Sequence, residues 1–155
     1  MNTMCESTDI PKNKQNEKTE NLIEKGHLKV FCQNSVLVNA LYVKITLKEK
    51  GIEVLTNTDM EKAHALIQEY QPHLVLSDIL DKPGGMTGFD LCRQHKACEA
   101  TRHIPFCFLT SLQGDKFVRR AQDVGATHYM NLPMDKDILI KTVMQILSNS
   151  KNPED

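Results

Sequence analysis

The sequence predicts a doubly wound α/β domain, a five-stranded parallel sheet with helices on both faces. Three observations carry this. Short apolar runs alternate with longer segments of helical periodicity along most of the chain. The third run, Leu74-Val75-Leu76, is continuously apolar, as strands buried on both faces are, and leads through Ser77 into a single carboxylate, Asp78. Gly, Pro and Asp punctuate the joins. Parallel strands need a crossover between them, and a right-handed crossover packs its helix onto the sheet.

Leu28-Lys29-Val30-Phe31-Cys32 reads as the first strand, rich in β-formers and too short for a helix. Leu37, Leu41 and Ile45, with Ala40 and Leu47 beside them, recur at helical spacing and predict the core stripe of a helix closed by Gly51. Ile52 to Leu55 gives a second strand. Thr58 with Glu61 three residues on has the form of a capping box, opening a helix through Ala63, Leu66 and Ile67 that ends at Pro72. The third strand ends at Asp78. Beyond the glycine-rich loop around Pro83-Gly84-Gly85, a helix carrying Phe89, Leu91 and Cys92 runs to Cys98. Pro105 introduces the fourth strand, Phe106-Cys107-Phe108-Leu109-Thr110. Lys116 to Val124 forms an amphipathic helix closed by Gly125, and Thr127 to Leu132 a fifth strand stopped by Pro133. Ile138, Leu139, Val143, Ile146 and Leu147 supply the core face of a last helix capped by Asp135.

The predicted domain covers residues 27–148. Residues 1–26, rich in Asn, Lys, Glu, Thr and Gln, bury too little apolar surface to offset chain entropy and are expected to be a disordered tail; residues 149–155 form a short polar one. With no signal-peptide core and no run of membrane-spanning length, a cytoplasmic protein is expected. Charged residues make up 25% and the formal net charge is −1, so no strong field exists to hold nucleic acid or an anionic membrane. Cys5, Cys32, Cys92, Cys98 and Cys107 form no CxxC pair, and two fall inside predicted strands, which reads as small buried hydrophobes in a reducing compartment.

A charged residue at the carboxyl end of a parallel strand lies where open α/β folds place their sites, which makes Asp78 the leading site residue. A structural role is also open to it, capping backbone groups of the nearby loops. The succession of Asp78, the stretch Pro83 to Leu91 (Pro-Gly-Gly-Met-Thr-Gly-Phe-Asp-Leu), Arg102-His103-Ile104-Pro105, Phe108-Leu109-Thr110-Ser111 and Gly125-Ala126-Thr127-His128-Tyr129 resembles the receiver domains of two-component response regulators, over residues 28–147. The resemblance implies the flavodoxin-like (CheY-like) strand order 2-1-3-4-5. It further implies that Asp78 accepts a phosphoryl group from a sensor histidine kinase, that Thr110 reports that group, and that Tyr129 swings inward in response. Plainer roles stand beside these: Thr110 as a hydroxyl satisfying a loop, Tyr129 as an aromatic covering the sheet edge.

The family also carries an acidic pair after the first strand, which helps hold Mg²⁺, and a lysine before the proline of the last loop. Here the pair falls on Asn34 and Ser35, or on Gln33 and Asn34 if one residue is inserted, and the lysine position is Leu132. The loop after Asp78 is two residues longer, through Asp81 and Lys82. Phosphoryl transfer to a carboxylate is mostly positioning and charge neutralisation, and Mg²⁺ prefers carboxylates to amides. A charge pair at ~4 Å is worth about 4 kcal/mol at an effective dielectric of 20, so losing two carboxylates costs several powers of ten in Mg²⁺ affinity. The expectation is therefore a pseudo-receiver, with Mg²⁺-dependent phosphorylation of Asp78 weakened or lost. No cofactor is expected and Mg²⁺ only weakly, with Asp78 and Asp81 as the metal-ligand candidates. The alternative is a working receiver phosphorylated on Asp78. Cis geometry at Leu132-Pro133, common in the family, is left open by the sequence.

A stand-alone module acting through protein contacts is expected, its partner face spanning Lys116–Leu147, the last two helices and the strand between them, which the family uses. An enzyme is not expected, because no Asp stands two residues beyond Asp78 to serve a hydrolase as acid, and no Trp is present to stack on a flavin. Cys92, His95, Cys98 and His103 place soft ligands at short spacing, but the first three lie along one predicted helix, and ordinary packing is the reading.

Overall fold

Apart from Glu17, the computed structural model describes residues 27–80 and 84–149. The expectations for the N-terminal tail, for residues 150–155, and for Asp81 and Lys82 fall outside them. Strands and helices alternate as β1 (Lys29–Gln33), α1 (Leu37–Lys48), β2 (Glu53–Asn57), α2 (Met60–Tyr70), β3 (Leu74–Ser77), α3 (Gly88–Ala97), β4 (Phe106–Thr110), α4 (Asp115–Asp123), β5 (His128–Asn131) and α5 (Lys136–Asn149). Every strand pair is parallel and the order is β2-β1-β3-β4-β5, as expected.

The pleat divides the core in two. Val30 and Cys32 of β1 point to one face, where Val43 and Leu47 of α1 meet Leu139, Val143, Ile146 and Leu147 of α5. Phe31 points to the other, with Ala63 and Ile67 of α2, Phe89, Leu91 and Cys92 of α3, Phe106 and Phe108 of β4, and Ala121 of α4. The central strands β3 and β4 are buried along their whole length, which is why their sequences do not alternate.

Three details depart from the sequence reading. The core face of α1 consists of Ala40, Val43, Thr46 and Leu47, while Leu37, Leu41 and Ile45 are exposed. This helix is apolar on nearly every side, so its periodicity fits two stripes, and the stripe containing the small Ala40 faces the sheet. Likewise Ile138 of α5 is exposed. At α2 the cap is Asp59, not Thr58: its carboxylate accepts from the Glu61 N–H at 3.1 Å, and a carboxylate complements the helix dipole better than a hydroxyl. Strands β1 and β2 also run past their apolar stretches, because the ladder continues through Cys32 opposite Thr56 and Gln33 opposite Asn57. Asp135 caps α5 as expected, accepting from the Asp137 N–H at 2.8 Å.

His95 sits fully buried on α3, with Nε2 2.8 Å from the Ile104 carbonyl and its ring edge-on to Phe106. Burial pushes its pKa down to about 4, so it is neutral when folded and protonates near 6.5 when unfolded. The unfolded state then binds the extra proton between these values, and stability is lost as the pH falls through that window. We expect urea unfolding to show a loss of about 3 kcal/mol from this group between neutral pH and pH near 4. A His95→Leu variant is expected to lack that segment of the pH dependence; an unchanged slope would place its origin elsewhere.

Candidate functional site

Asp78 leaves β3 at the carboxyl edge of the sheet, where its own N–H donates to the Gln33 carbonyl at 2.9 Å. Its side chain is buried, at 8% exposure. Oδ2 accepts from the Ser35 N–H at 2.9 Å, whereas Oδ1 is buried with no hydrogen-bond partner. Burial raises the Asp78 pKa, opposed by the Ser35 N–H and by the nearby Ser35 hydroxyl, which lies off hydrogen-bond geometry. With the folded-state value above the unfolded one, the contribution of Asp78 to stability is full below the unfolded pKa and is lost as the pH rises through the folded one.

The polar residues after β1 meet Asp78 without supplying charge. Gln33 is fully buried; its Oε1 accepts from Asn57 Nδ2 at 2.6 Å, leaving Nε2 buried and unpartnered. Asn57 Nδ2 is shared with the Asp59 carbonyl, also at 2.6 Å, which fixes the orientation of the Gln33 amide. Asn34 folds back so that Oδ1 accepts from the Val36 N–H at 2.9 Å. Ser35 Oγ is buried without a partner. Among the described residues the donor set available to Mg²⁺ is thus one carboxylate oxygen and one hydroxyl, beside an amide that turns N–H groups inward. These residues do not fit the ion's preference for several anionic oxygens.

Across the sheet, Thr110 is buried at the end of β4, and its Oγ1 accepts from the Leu112 N–H at 3.2 Å. Tyr129, half-buried on β5, lies against Phe108 and donates its hydroxyl to the Leu112 carbonyl at 2.7 Å. Asn131, opposite Thr110 in the ladder, donates Nδ2 to that same carbonyl at 2.7 Å and to the Thr110 carbonyl at 3.2 Å. The loop after β4 is therefore held from β5 by two side chains. Leu132 packs into the α1/α5 core rather than toward Asp78, and the Leu132-Pro133 bond is cis.

Residues that the sequence reading did not single out shape this site. Gly88, the first residue of α3, donates to the Ile79 carbonyl at 2.7 Å and lies against the Asp78 backbone. Thr87 and Asp90 form the capping box that fixes this helix start, Asp90 accepting from the Thr87 N–H at 2.9 Å. Asn57 and Asn131 act through strand pairing, which no local motif announces. Cys92, His95, Cys98 and His103 do separate things: Cys92 donates to the Val124 carbonyl, His95 contacts Ile104, Cys98 accepts from the Gln68 amide, and His103 lines a shallow pocket of about 290 Å³. Among the described residues no helix is long and apolar enough to cross a membrane.

Residues 34–144 match the profile of the response regulator receiver domain. Response regulator PleD of Caulobacter vibrioides is 27% identical over 118 residues, which cover 76% of this chain and 26% of PleD. The chain spans about a quarter of the length of the first curated relatives it matches. Protein PilH of Pseudomonas aeruginosa is 31% identical over 104 residues, covering 66% of this chain and 83% of PilH. Among solved structures, chemotaxis response regulator CheY4 of Vibrio cholerae superposes with a TM-score of 0.70 at 26% identity, over 77% of this chain and 98% of CheY4.

Proposed function

Since the chain belongs to the response regulator receiver family, we propose that it serves two-component signal transduction as a receiver whose Mg²⁺-dependent phosphorylation of Asp78 is weakened or lost. It acts through contact with a protein partner and not as an enzyme. The observation that carries this reading is the neutral surround of the acceptor: among the described residues, Gln33 Nε2, Ser35 Oγ and Asp78 Oδ1 are all buried without hydrogen-bond partners, and the residues after β1 bring no second carboxylate to them. An acyl phosphate there would gain dianionic charge in a site where the residues after β1 supply no cation-gathering carboxylate pair and the position before Pro133 is a core leucine, not a lysine. The output face is the span Lys116–Leu147, where Tyr129 and Asn131 hold the loop after β4 through the Leu112 carbonyl.

One observation favours the second reading, a working receiver fed by a sensor histidine kinase. Asp78 Oδ1 makes no hydrogen bond, so attack on a phosphorus atom would break none once this buried oxygen is uncovered. Weighing the intact full chain after incubation with a small-molecule phosphodonor, with and without Mg²⁺, separates the two. No added phosphoryl mass is expected in either condition. A Mg²⁺-dependent adduct that disappears in Asp78→Asn would establish the working receiver instead.

A further inference from the structure

Two histidines meet where α2 packs beside α3, and each keeps a buried ring nitrogen without a hydrogen-bond partner. Both helices cover the same face of the sheet and, each following a parallel strand, run in the same direction. Two contacts from α2 fix their register: the Gln68 amide donates to Cys98 Sγ at 3.5 Å, and the Gln71 amide to the Ala100 carbonyl at 3.3 Å. One turn before Gln68 on α2 stands His64, and one turn before Cys98 on α3 stands His95. The register therefore sets His64 beside His95, close enough that charge on His64 lowers the pKa of His95.

The tautomer of His95 is set by its surroundings. The Ile104 carbonyl can only accept, so the proton of the neutral, fully buried ring sits on Nε2, 2.8 Å away, and Nδ1 presents a lone pair. That Nδ1 is buried and unpartnered, as is Nδ1 of the half-buried His64. One ring N–H on a backbone carbonyl, with the other nitrogen bare, is the arrangement metal-ligating histidines adopt, because the bond orients the ring and raises the basicity of the free nitrogen.

We propose that His64 Nδ1 and His95 Nδ1 together bind a copper(I) ion between α2 and α3. Ligand number and charge select this ion. Among the described residues no three His, Cys, Asp or Glu side chains converge as a metal set, so neither the four-ligand shell of structural zinc nor the oxygen shell of Mg²⁺ or Ca²⁺ is assembled. Copper(I) is satisfied by two donors in line, and imidazole nitrogen suits copper. Two neutral rings also leave the charge of the ion uncompensated beside an apolar cluster that includes Ala63, Ile67 and Phe106. Since the cost of burying charge grows as its square, a monovalent ion pays about a quarter of what a dication of the same size would. The partly exposed Cys98 is not a ligand in this assignment, its sulfur being turned to Gln68. Burial holds the thiols of Cys32 and Cys107 at about 12 and that of Cys92 at about 11, so they do not compete as thiolates.

Anaerobic titration of the full chain with copper(I), in competition with a chromophoric copper(I) chelator, tests this. Cys5→Ser with Cys98→Ser removes two thiols that would otherwise take up the ion. In that background one ion per chain is expected, with the X-ray absorption edge of a two-coordinate shell made of nitrogen alone. Nitrogen-15 spectra are expected to show the His95 Nδ1 resonance shifting on binding while the Nε2 proton stays in place. His64→Gln, at a half-buried position, is expected to leave the circular dichroism unchanged. It should weaken binding by more than the roughly 10–100-fold that loss of a ligand's own hydrogen-bond partner costs. No binding at an excess of copper(I) overturns the proposal and leaves a bridging water to serve both nitrogens. Sulfur in the shell overturns it as well, as does an affinity indifferent to His64→Gln.

Discussion

Gly88→Ala is expected to destabilise the protein by about 3 kcal/mol or more. On helix propensity alone the change favours folding, since alanine is the better helix former by up to ~1 kcal/mol. The surroundings reverse that sign. A Cβ at this position would overlap the carbonyl oxygen of Asp78 and stand 3.0 Å from both the Ile79 Cα and the Phe108 ring. Two of these neighbours are backbone atoms of the segment that carries the acceptor. The third is wedged between Phe89, at 5.3 Å between centroids, and Phe106, at 5.4 Å, and has no room to retreat. Relief therefore requires α3 to move off the end of β3, lengthening the 2.7 Å bond from the Gly88 N–H to the Ile79 carbonyl. Gly84→Ala makes the control. That glycine has φ of +77° but nothing within 4 Å of an added Cβ, so only the left-handed backbone is penalised, at about 1 kcal/mol. Urea midpoints for the two variants check the ordering, and equal midpoints would contradict the close approach of α3 to Asp78.

Gly88 also marks where the sequence stops being informative. It lies in the stretch that carries the family resemblance, yet nothing local distinguishes it from Gly84 or Gly85; the need for a bare Cα arises only when α3 is laid against β3. The alternation of strands and helices was legible because each buried strand is a run of apolar residues bounded by Gly, Pro or Asp, a signal that survives without tertiary context. The inward face of α1 was not. Its two possible stripes are almost equally apolar, and the choice is made by how closely the helix approaches the sheet. At Thr58 and Asp59, two adjacent capping residues competed, and the carboxylate prevailed.

The site divides the same way. Asp78 stood out as a lone carboxylate ending a buried strand. The loss of acidic neighbours was visible as Gln33-Asn34-Ser35, and the burial of Leu132 leaves no cation at that position. What no motif announced is the hydrogen bonding that fixes these neutral groups. Asn57 turns the Gln33 amide because the β1–β2 ladder sets the two residues opposite each other. Asn131 reaches the Leu112 carbonyl because β5 sits beside β4.

Restoring the missing carboxylates is expected to have the largest functional effect. Gln33→Asp with Asn34→Asp, or Asn34→Asp with Ser35→Asp, should raise Mg²⁺ affinity by several powers of ten, each added charge contributing about 4 kcal/mol at ~4 Å and an effective dielectric of 20. Only one pair sets both charges beside Asp78, so the variant that gains affinity also decides which two residues occupy the acidic positions. Without metal, the added carboxylates crowd Asp78, drive its already raised pKa further up and destabilise the fold. With metal the sign reverses, because an ion that binds only the folded state stabilises it by about 2.7 kcal/mol at a hundredfold excess over Kd. The expected result is a melting temperature that climbs with Mg²⁺ in one double variant and stays flat in the wild type, whose described residues offer the ion a single carboxylate oxygen and a hydroxyl. Adding Leu132→Lys is a separate step: it removes a side chain from the α1/α5 core cluster, at a cost of about 2 kcal/mol or more, so it belongs in the variant already stabilised by metal. In that background the phosphodonor should add one phosphoryl group to Asp78. A wild-type protein whose melting temperature rises with Mg²⁺ as steeply as the variant's would mean that amide and hydroxyl oxygens suffice, and that the electrostatic deficit around Asp78 is not what limits its chemistry.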